Sequence, residues 1–148
     1  MRALLQRVSR ASVRVDREEI ARIGPGLLIL LGVAAQDPPG LEGKLAQRCA
    51  GLRIFEDDQG RMNRSVLDIS GEILVVPQFT LYADVSRGRR PGFDLAARPE
   101  PAERAFGAFC ESLERLGVST RRGRFGASME VELVSPGPAT FLLELDRA

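Results

Sequence analysis

The sequence contains no histidine. That excludes Ser–His and Cys–His nucleophiles, histidine general bases and histidine-ligated metals. An enzyme built on this chain must work without the commonest proton-transfer residue. Cysteine is scarce as well. Cys49 and Cys110 stand far apart, with neither CxxC spacing nor a disulfide framework, and two isolated thiols fit a reducing cytoplasm. No apolar run is long enough to span a bilayer: the longest, residues 27–33, has Gly32 inside it. The opening "MRALLQRVSRASV" lacks the apolar stretch of a secretory signal, and none is expected. Lysine is reduced to Lys44, so almost all positive charge is arginine. Arginine suits bidentate phosphate contacts, although a GC-rich genome gives the same bias. Carboxylates are plentiful but form no recognisable acid–base pair. No Gly-rich phosphate loop, zinc spacing or EF-hand loop is present. Net charge is +1, so any nucleic-acid role must rest on local basic patches.

The 148 residues, 44% apolar and 28% charged, are those of one ordinary globular domain, residues 1–148. Residues 2–15 alternate loosely and read as one or two strands, followed by a turn at "DREE". After a second turn at "GPG", "LLILLGV" reads as a central strand buried on both faces. "DPPGLEGKLAQRCAGL" opens like a helix, with Asp37 as N-cap and Pro38 at the first helical position. Leu41, Leu45, Cys49 and Leu52 fall on one face of it. A turn is expected near Asp58 and Gly60. Residues 72–84, "EILVVPQFTLYAD", read as a strand that Pro77 breaks, marking an edge, a bulge or an end. A second helix over residues 101–116 carries Ala102, Ala105, Phe106, Phe109, Leu113 and Leu116 as its apolar stripe. "ASMEVELV" and "ATFLLEL" alternate as strands joined by "SPGP". The expected class is α+β: mostly antiparallel sheet with two amphipathic helices.

Three features carry possible chemistry. Gln78 and Thr80 share one side of the strand in "VVPQFTLYAD", with Phe79 on the other. They form either a small polar pocket or the solvent face of an edge strand. "SPGPAT" is either a hairpin tip chosen for turn propensity or a shaped backbone surface. The sequence does not fix whether Gly137–Pro138 is cis or trans. Finally, Arg87, Arg89 and Arg90, then Arg121, Arg122 and Arg124, are interleaved with glycine and followed by Phe93 or Phe125. This pattern fits phosphate contact with base stacking, or a solvated basic face.

Taken together, "PQFTLYAD", "GRRPGF", "GRFGASMEVELV" and "SPGPATF" resemble the D-aminoacyl-tRNA deacylases in order and approximate spacing. "MRALLQRVSRASV" and "GPGLLILLGVA" are similar to that family too, so the resemblance covers essentially the whole chain. It implies a barrel-like α+β core and a homodimer that hydrolyses the ester between a D-amino acid and tRNA. It also implies chiral proofreading before translation, and action on glycine mischarged onto non-cognate tRNA. Neither cofactor, metal nor membrane enters this picture, and the implied location is the cytoplasm. The site implied by the resemblance comprises Gln78, Phe79, Thr80, Gly137 and Pro138. Pro77, Phe125, Met129 and Thr140 contact substrate, and Arg7 supports the Gly–Pro loop. In such a dimer a Gly–cis-Pro dipeptide from one subunit enters the pocket of the other.

Two positions depart from the family pattern: Pro77 replaces a serine and Ser135 an asparagine. A sister class of relaxed chirality also carries proline at the first position but lacks the phenylalanine that Phe79 supplies. The chirality-selective type is therefore favoured. Alternatives are the sister class, a non-catalytic RNA-binding dimer of the same fold, and a general esterase, which the missing histidine makes poor. An aminoacyl ester is activated by its α-ammonium, and the vicinal ribose 2′-hydroxyl can assist water. The protein then needs only to orient the ester and stabilise the oxyanion, with backbone N–H groups near Phe79 and Thr80 as donors.

Overall fold

A computed structural model describes residues 1–147 of the chain. The first strands are β1 (Arg2–Val8), β2 (Arg10–Val15), β3 (Glu18–Ile23) and β4 (Gly26–Gly32). Helix α1 (Leu41–Gly51) and the small hairpin β5 (Phe55–Glu56) and β6 (Met62–Arg64) lead to β7 (Glu72–Pro77). A 3-10 turn (Phe79–Tyr82), helix α2 (Pro99–Arg115) and strands β8 (Ser119–Arg122), β9 (Glu130–Val134) and β10 (Thr140–Glu144) complete the chain.

A five-stranded sheet runs in the order β10-β1-β4-β7-β8, and a three-stranded sheet in the order β3-β2-β9. Strand β4 is central, as the continuous apolar run predicts, and alternation divides its side chains between two cores. Leu27, Ile29 and Leu31 join Leu5, Ile73, Val75 and the buried faces of α1 and α2. Leu28 and Leu30 join Val13, Ile23, Leu74 and Val76 beneath the three-stranded sheet. The molecule thus stacks helices, large sheet and small sheet in three layers. The β2–β3 turn places Asp16 and Arg17 at φ 51° and 67°, as a two-residue type I′ hairpin requires.

The sheets are mostly antiparallel, as expected; the β4–β7 and β7–β8 pairs are the parallel exceptions, because α1 and α2 each serve as a crossover that returns the chain in the same direction. Three expectations are corrected. The first helix starts at Leu41 with Gly40 as its cap. Asp37 is drawn off instead: its carboxylate receives the Met1 ammonium at 2.7 Å and the Ala34 N–H at 2.8 Å. The second helix begins two residues early, at Pro99, since proline tolerates a first turn. Most consequentially, "SPGP" is no hairpin tip. Strand β9 pairs with β2 in one sheet and β10 with β1 in the other. Residues 135–139 therefore form a bulge opposite residues 7–9, where two bent strands pass from sheet to sheet.

Both cysteines are buried in the helical core. Burial pushes each thiol from its ordinary value of 9.0 up to about 12. Below pH ~9 the thiols are protonated in folded and unfolded chains alike. Above it only the unfolded chain ionises, so each raised thiol costs about 1.4 kcal/mol of stability per pH unit until near its folded value. Urea midpoints are expected to hold steady from pH 7 to 8.5 and fall steeply by pH 10.5. Replacing both cysteines with alanine should flatten that fall, whatever it does to absolute stability.

Candidate active-site cleft

Strand β7 ends at Pro77 because proline has no N–H to continue the ladder. The next residue still pairs, with Gln78 N–H donating to the Leu31 carbonyl at 2.8 Å. Residues Phe79–Tyr82 then close into the 3-10 turn, so Gln78 and Thr80 do not lie on a strand as expected. They meet nonetheless, through a hydrogen bond from the Gln78 amide to the Thr80 hydroxyl. This turn sits tightly on the end of β4. A Cβ at Gly32 would lie 3.0 Å from Leu81 Cβ and 3.2 Å from the Gln78 carbonyl, so a side chain there would push the turn away by a few tenths of an ångström. From the far side Arg2 clamps the turn: Nη1 donates to the Leu81 carbonyl at 2.6 Å and the guanidinium lies 4.5 Å from the Tyr82 ring centre. Burial, then the neighbouring Asp37 carboxylate, raises the Tyr82 hydroxyl to about 12, so it stays protonated.

Parallel pairing brings the carboxyl ends of β4 and β7 to one edge, and a cleft of about 660 Å³ opens there. Pro77, Gln78 and Phe79 form one wall, and Phe125 and Met129 another. The opposite rim is the segment containing Phe93, Ala96 and Ala97, tied to the end of β4 by Ala97 N–H to the Val33 carbonyl at 2.9 Å. Phe79 is 57% exposed and meets Phe93 edge-on at 5.0 Å between ring centres. Arg98 is the one charged side chain lining the cleft among the described residues; no carboxylate does so. A second, open depression of about 460 Å³ over the β5–β6 hairpin is polar loop surface. There Asp57 is occupied by the N–H groups of Arg61 and Gln59, which hold its carboxyl below the usual range. No group of three or more metal-ligating side chains occurs among the described residues. Nor is any of their helices long and apolar enough to cross a membrane.

The remaining nominated residues lie elsewhere. Gly137, Pro138 and Thr140 are exposed, and none of residues 135–140 lines the cleft. The Gly137–Pro138 bond is cis. Arg7 holds this loop at several points. Its N–H donates to the Ala139 carbonyl at 3.0 Å, Nη2 to the Pro136 carbonyl at 3.1 Å and Nη1 to the Ile54 carbonyl at 2.8 Å. Ser135 returns the contact, its hydroxyl donating to the Arg7 carbonyl at 2.8 Å. The departure at 135 thereby acquires a role that sequence reasoning missed. Sequence reasoning also missed Arg2, Arg98 and the cleft-lining role of Phe93; only Phe93 carried a signal, as the aromatic residue after an arginine loop.

A family model described as D-Tyr-tRNA(Tyr) deacylase matches residues 4–144. A D-aminoacyl-tRNA deacylase of Roseiflexus castenholzii is 58% identical over 144 residues, covering 97% of this chain and 92% of that one. Another, of Symbiobacterium thermophilum, is 52% identical over 147 residues, covering 99% and 97%. A solved structure described as c-Myc DNA Unwinding Element Binding Protein superposes with a TM-score of 0.92 at 40% identity, covering 98% of this chain and 99% of that one. Fold, cleft and relatives together make the protein an enzyme, a hydrolase. More narrowly, the chain belongs to the D-aminoacyl-tRNA deacylase family.

The loop geometry predicts graded costs. Ser135→Ala removes one neutral hydrogen bond and is expected to lower unfolding stability by about 0.5–1.5 kcal/mol. Arg7→Ala removes charged donors to two carbonyls and should cost about 1.5–3 kcal/mol. Urea denaturation of the two variants measures both; an Arg7→Ala variant as stable as the parent would show that the guanidinium contributes nothing to stability.

Proposed function

We propose that this chain hydrolyses the ester between a D-amino acid and the 3′ end of tRNA, and that it acts as a homodimer in the cytoplasm. One observation carries the reading. Pro77, Gln78, Phe79, Phe125 and Met129, distant in sequence, share one cleft, whereas the Gly137–Pro138 loop projects elsewhere. A loop so held by Arg7 and so exposed suits insertion into the cleft of a second copy.

In that arrangement the Gly137 and Pro138 carbonyls receive the substrate's α-ammonium. A D side chain then points out of the pocket, and an L side chain meets the dipeptide backbone. Selection works by excluding the wrong enantiomer. Glycine has no side chain to exclude, so glycine mischarged onto non-cognate tRNA is a substrate too. Phe125 and Met129 flank the terminal adenosine, and Thr140, beside the inserted dipeptide, contacts substrate. The cleft contains no side chain that serves as a base near neutrality. Thr80 is no better placed as a nucleophile, since the partner of its hydroxyl is the Gln78 amide. Catalysis then falls to orientation and charge stabilisation. The ribose 2′-hydroxyl assists water, and the N–H groups opening the 3-10 turn, Phe79 and Thr80, meet the developing oxyanion.

Incubation with D-Tyr-tRNA and L-Tyr-tRNA should deplete the D ester alone. Equal hydrolysis would sink the chiral reading, and tRNA binding without turnover would favour the non-catalytic alternative. A 2′-deoxy terminal adenosine should abolish most activity. Thr80→Ala should stay within about tenfold of the parent, because removing a true covalent nucleophile costs on the order of 10⁶-fold.

A further inference from the structure

Two arginine-bearing segments border the cleft and have no part in the chemistry above. The first, residues 84–92, is pinched at its base by paired hydrogen bonds between Asp84 and Gly92, at 2.8 and 2.9 Å. The residue after that pinch is Phe93, on the cleft rim. The second, residues 121–124, is fixed to β7 by Gly123 N–H to the Val75 carbonyl at 2.8 Å. It runs directly into Phe125, Gly126 and Ala127, which line the cleft. Both segments are thus held to the fold immediately before cleft-lining residues, Phe93 in one case and Phe125 in the other.

Their charge is uneven in a way the chain's total conceals. Residues 84–98 and 121–129 together carry seven arginines and two aspartates, a net +5 in a chain of net +1. All other residues therefore sum to −4. Some arginines elsewhere find carboxylates, among them Arg22 with Glu19, Arg104 with Glu100, Arg64 with Asp58 and Arg2 with Glu144. Others, such as Arg10, Arg14 and Arg17, do not among the described residues, so it is the clustering at the mouth that sets these segments apart. At the mouth, Arg87, Arg89, Arg90, Arg121 and Arg124 have no salt bridge and donate no side-chain hydrogen bond among the described residues; Arg122, bound to Glu114, is the exception. Asp84, the acid that opens the first loop, accepts the hydroxyl and N–H of Ser86, which hold its carboxyl below the usual range, and forms no salt bridge with these arginines among the described residues. These guanidinium groups are therefore unneutralised, and an external anion is their natural partner.

We propose that residues 87–90, 121 and 124 bind the phosphate backbone of the tRNA acceptor stem and so deliver its 3′ end to the cleft. The proposal rests on the deacylase reading, but on different residues. An apolar cleft rimmed by Phe79, Phe93 and Phe125 suits stacked bases, and a strand whose end lies there must pass its phosphates over the mouth. Arginine forks fit those phosphates bidentately. Such contacts position the substrate without reading sequence, as expected of an enzyme that must accept many tRNAs.

The test separates this surface from the site. Binding of uncharged tRNA is measured across a salt series for the parent and for Arg89→Gln/Arg90→Gln. Hydrolysis of D-Tyr-tRNA and of D-tyrosyl-adenosine, which lacks a stem, is measured alongside. The slope of log affinity against log salt should fall by about 0.7–0.9 for each phosphate contact removed, hence by roughly 1.5 in the double variant. KM for D-Tyr-tRNA should rise with kcat unchanged, D-tyrosyl-adenosine should be cleaved as before, and Arg89→Lys/Arg90→Lys should restore most of the slope. Unchanged tRNA affinity and slope in the glutamine variant overturn the proposal, as does equal competition by polyglutamate. A parent that binds tRNA with the expected slope yet cleaves neither ester supports the surface and rejects the deacylase reading.

Discussion

Everything in this fold depends on one strand being dry on both sides. Strand β4 sends Leu27, Ile29 and Leu31 under the helices and Leu28 and Leu30 under the small sheet. Burying a side chain of this size removes water from apolar surface worth about 1.5–3 kcal/mol. Five such residues on one strand therefore tie all three layers to a common axis. The same strand ends at Gly32, where the missing side chain admits Gln78 and the 3-10 turn bearing Phe79 and Thr80. Core and cleft are thus set by consecutive residues of one element, and a shift in β4 would move both.

Much of this was legible in the sequence because the signals were periodic. The run "LLILLGV" could belong only to a doubly covered strand, and the stripes of α1 and α2 marked their buried faces. Pro77 marked an irregularity in residues 72–84 through its missing donor, leaving edge, bulge and end open; the structure makes it the end of β7. What remained hidden was non-local. Whether β4 and β7 run parallel depends on where the intervening helix packs, and no residue in either strand records it. Asp37 looked like a cap because its competitors, the Met1 ammonium and the Ala34 N–H, become neighbours only after folding. "SPGP" looked like a hairpin tip because the strands around it are strands; their membership of different sheets is a property of their partners, β1 and β2.

The cleft was half legible. Pro77, Gln78, Phe79, Phe125 and Met129 were nominated from motifs and converge on it, yet nothing local showed that Arg98 and Ala96 would face them. The absence of histidine proved the most informative property, since it directs attention from proton transfer to placement. The cleft agrees with that emphasis: its lining is apolar, with Gln78 and Arg98 as its few polar side chains. A site of this kind gains from rigid backbone more than from tuned acidity.

The bulge at residues 135–139 interrupts one of two bent strands, where the chain crosses from β9 in the small sheet to β10 in the large one. Its direction is therefore written in the dihedral angle between the sheets, which the packing of Val13, Leu28 and Leu74 maintains. The loop behaves as the pointer on a hinge whose leaves are the two sheets. Repacking deep between those leaves would swing the pointer without touching it, so its aim is inherited from the hydrophobic interior.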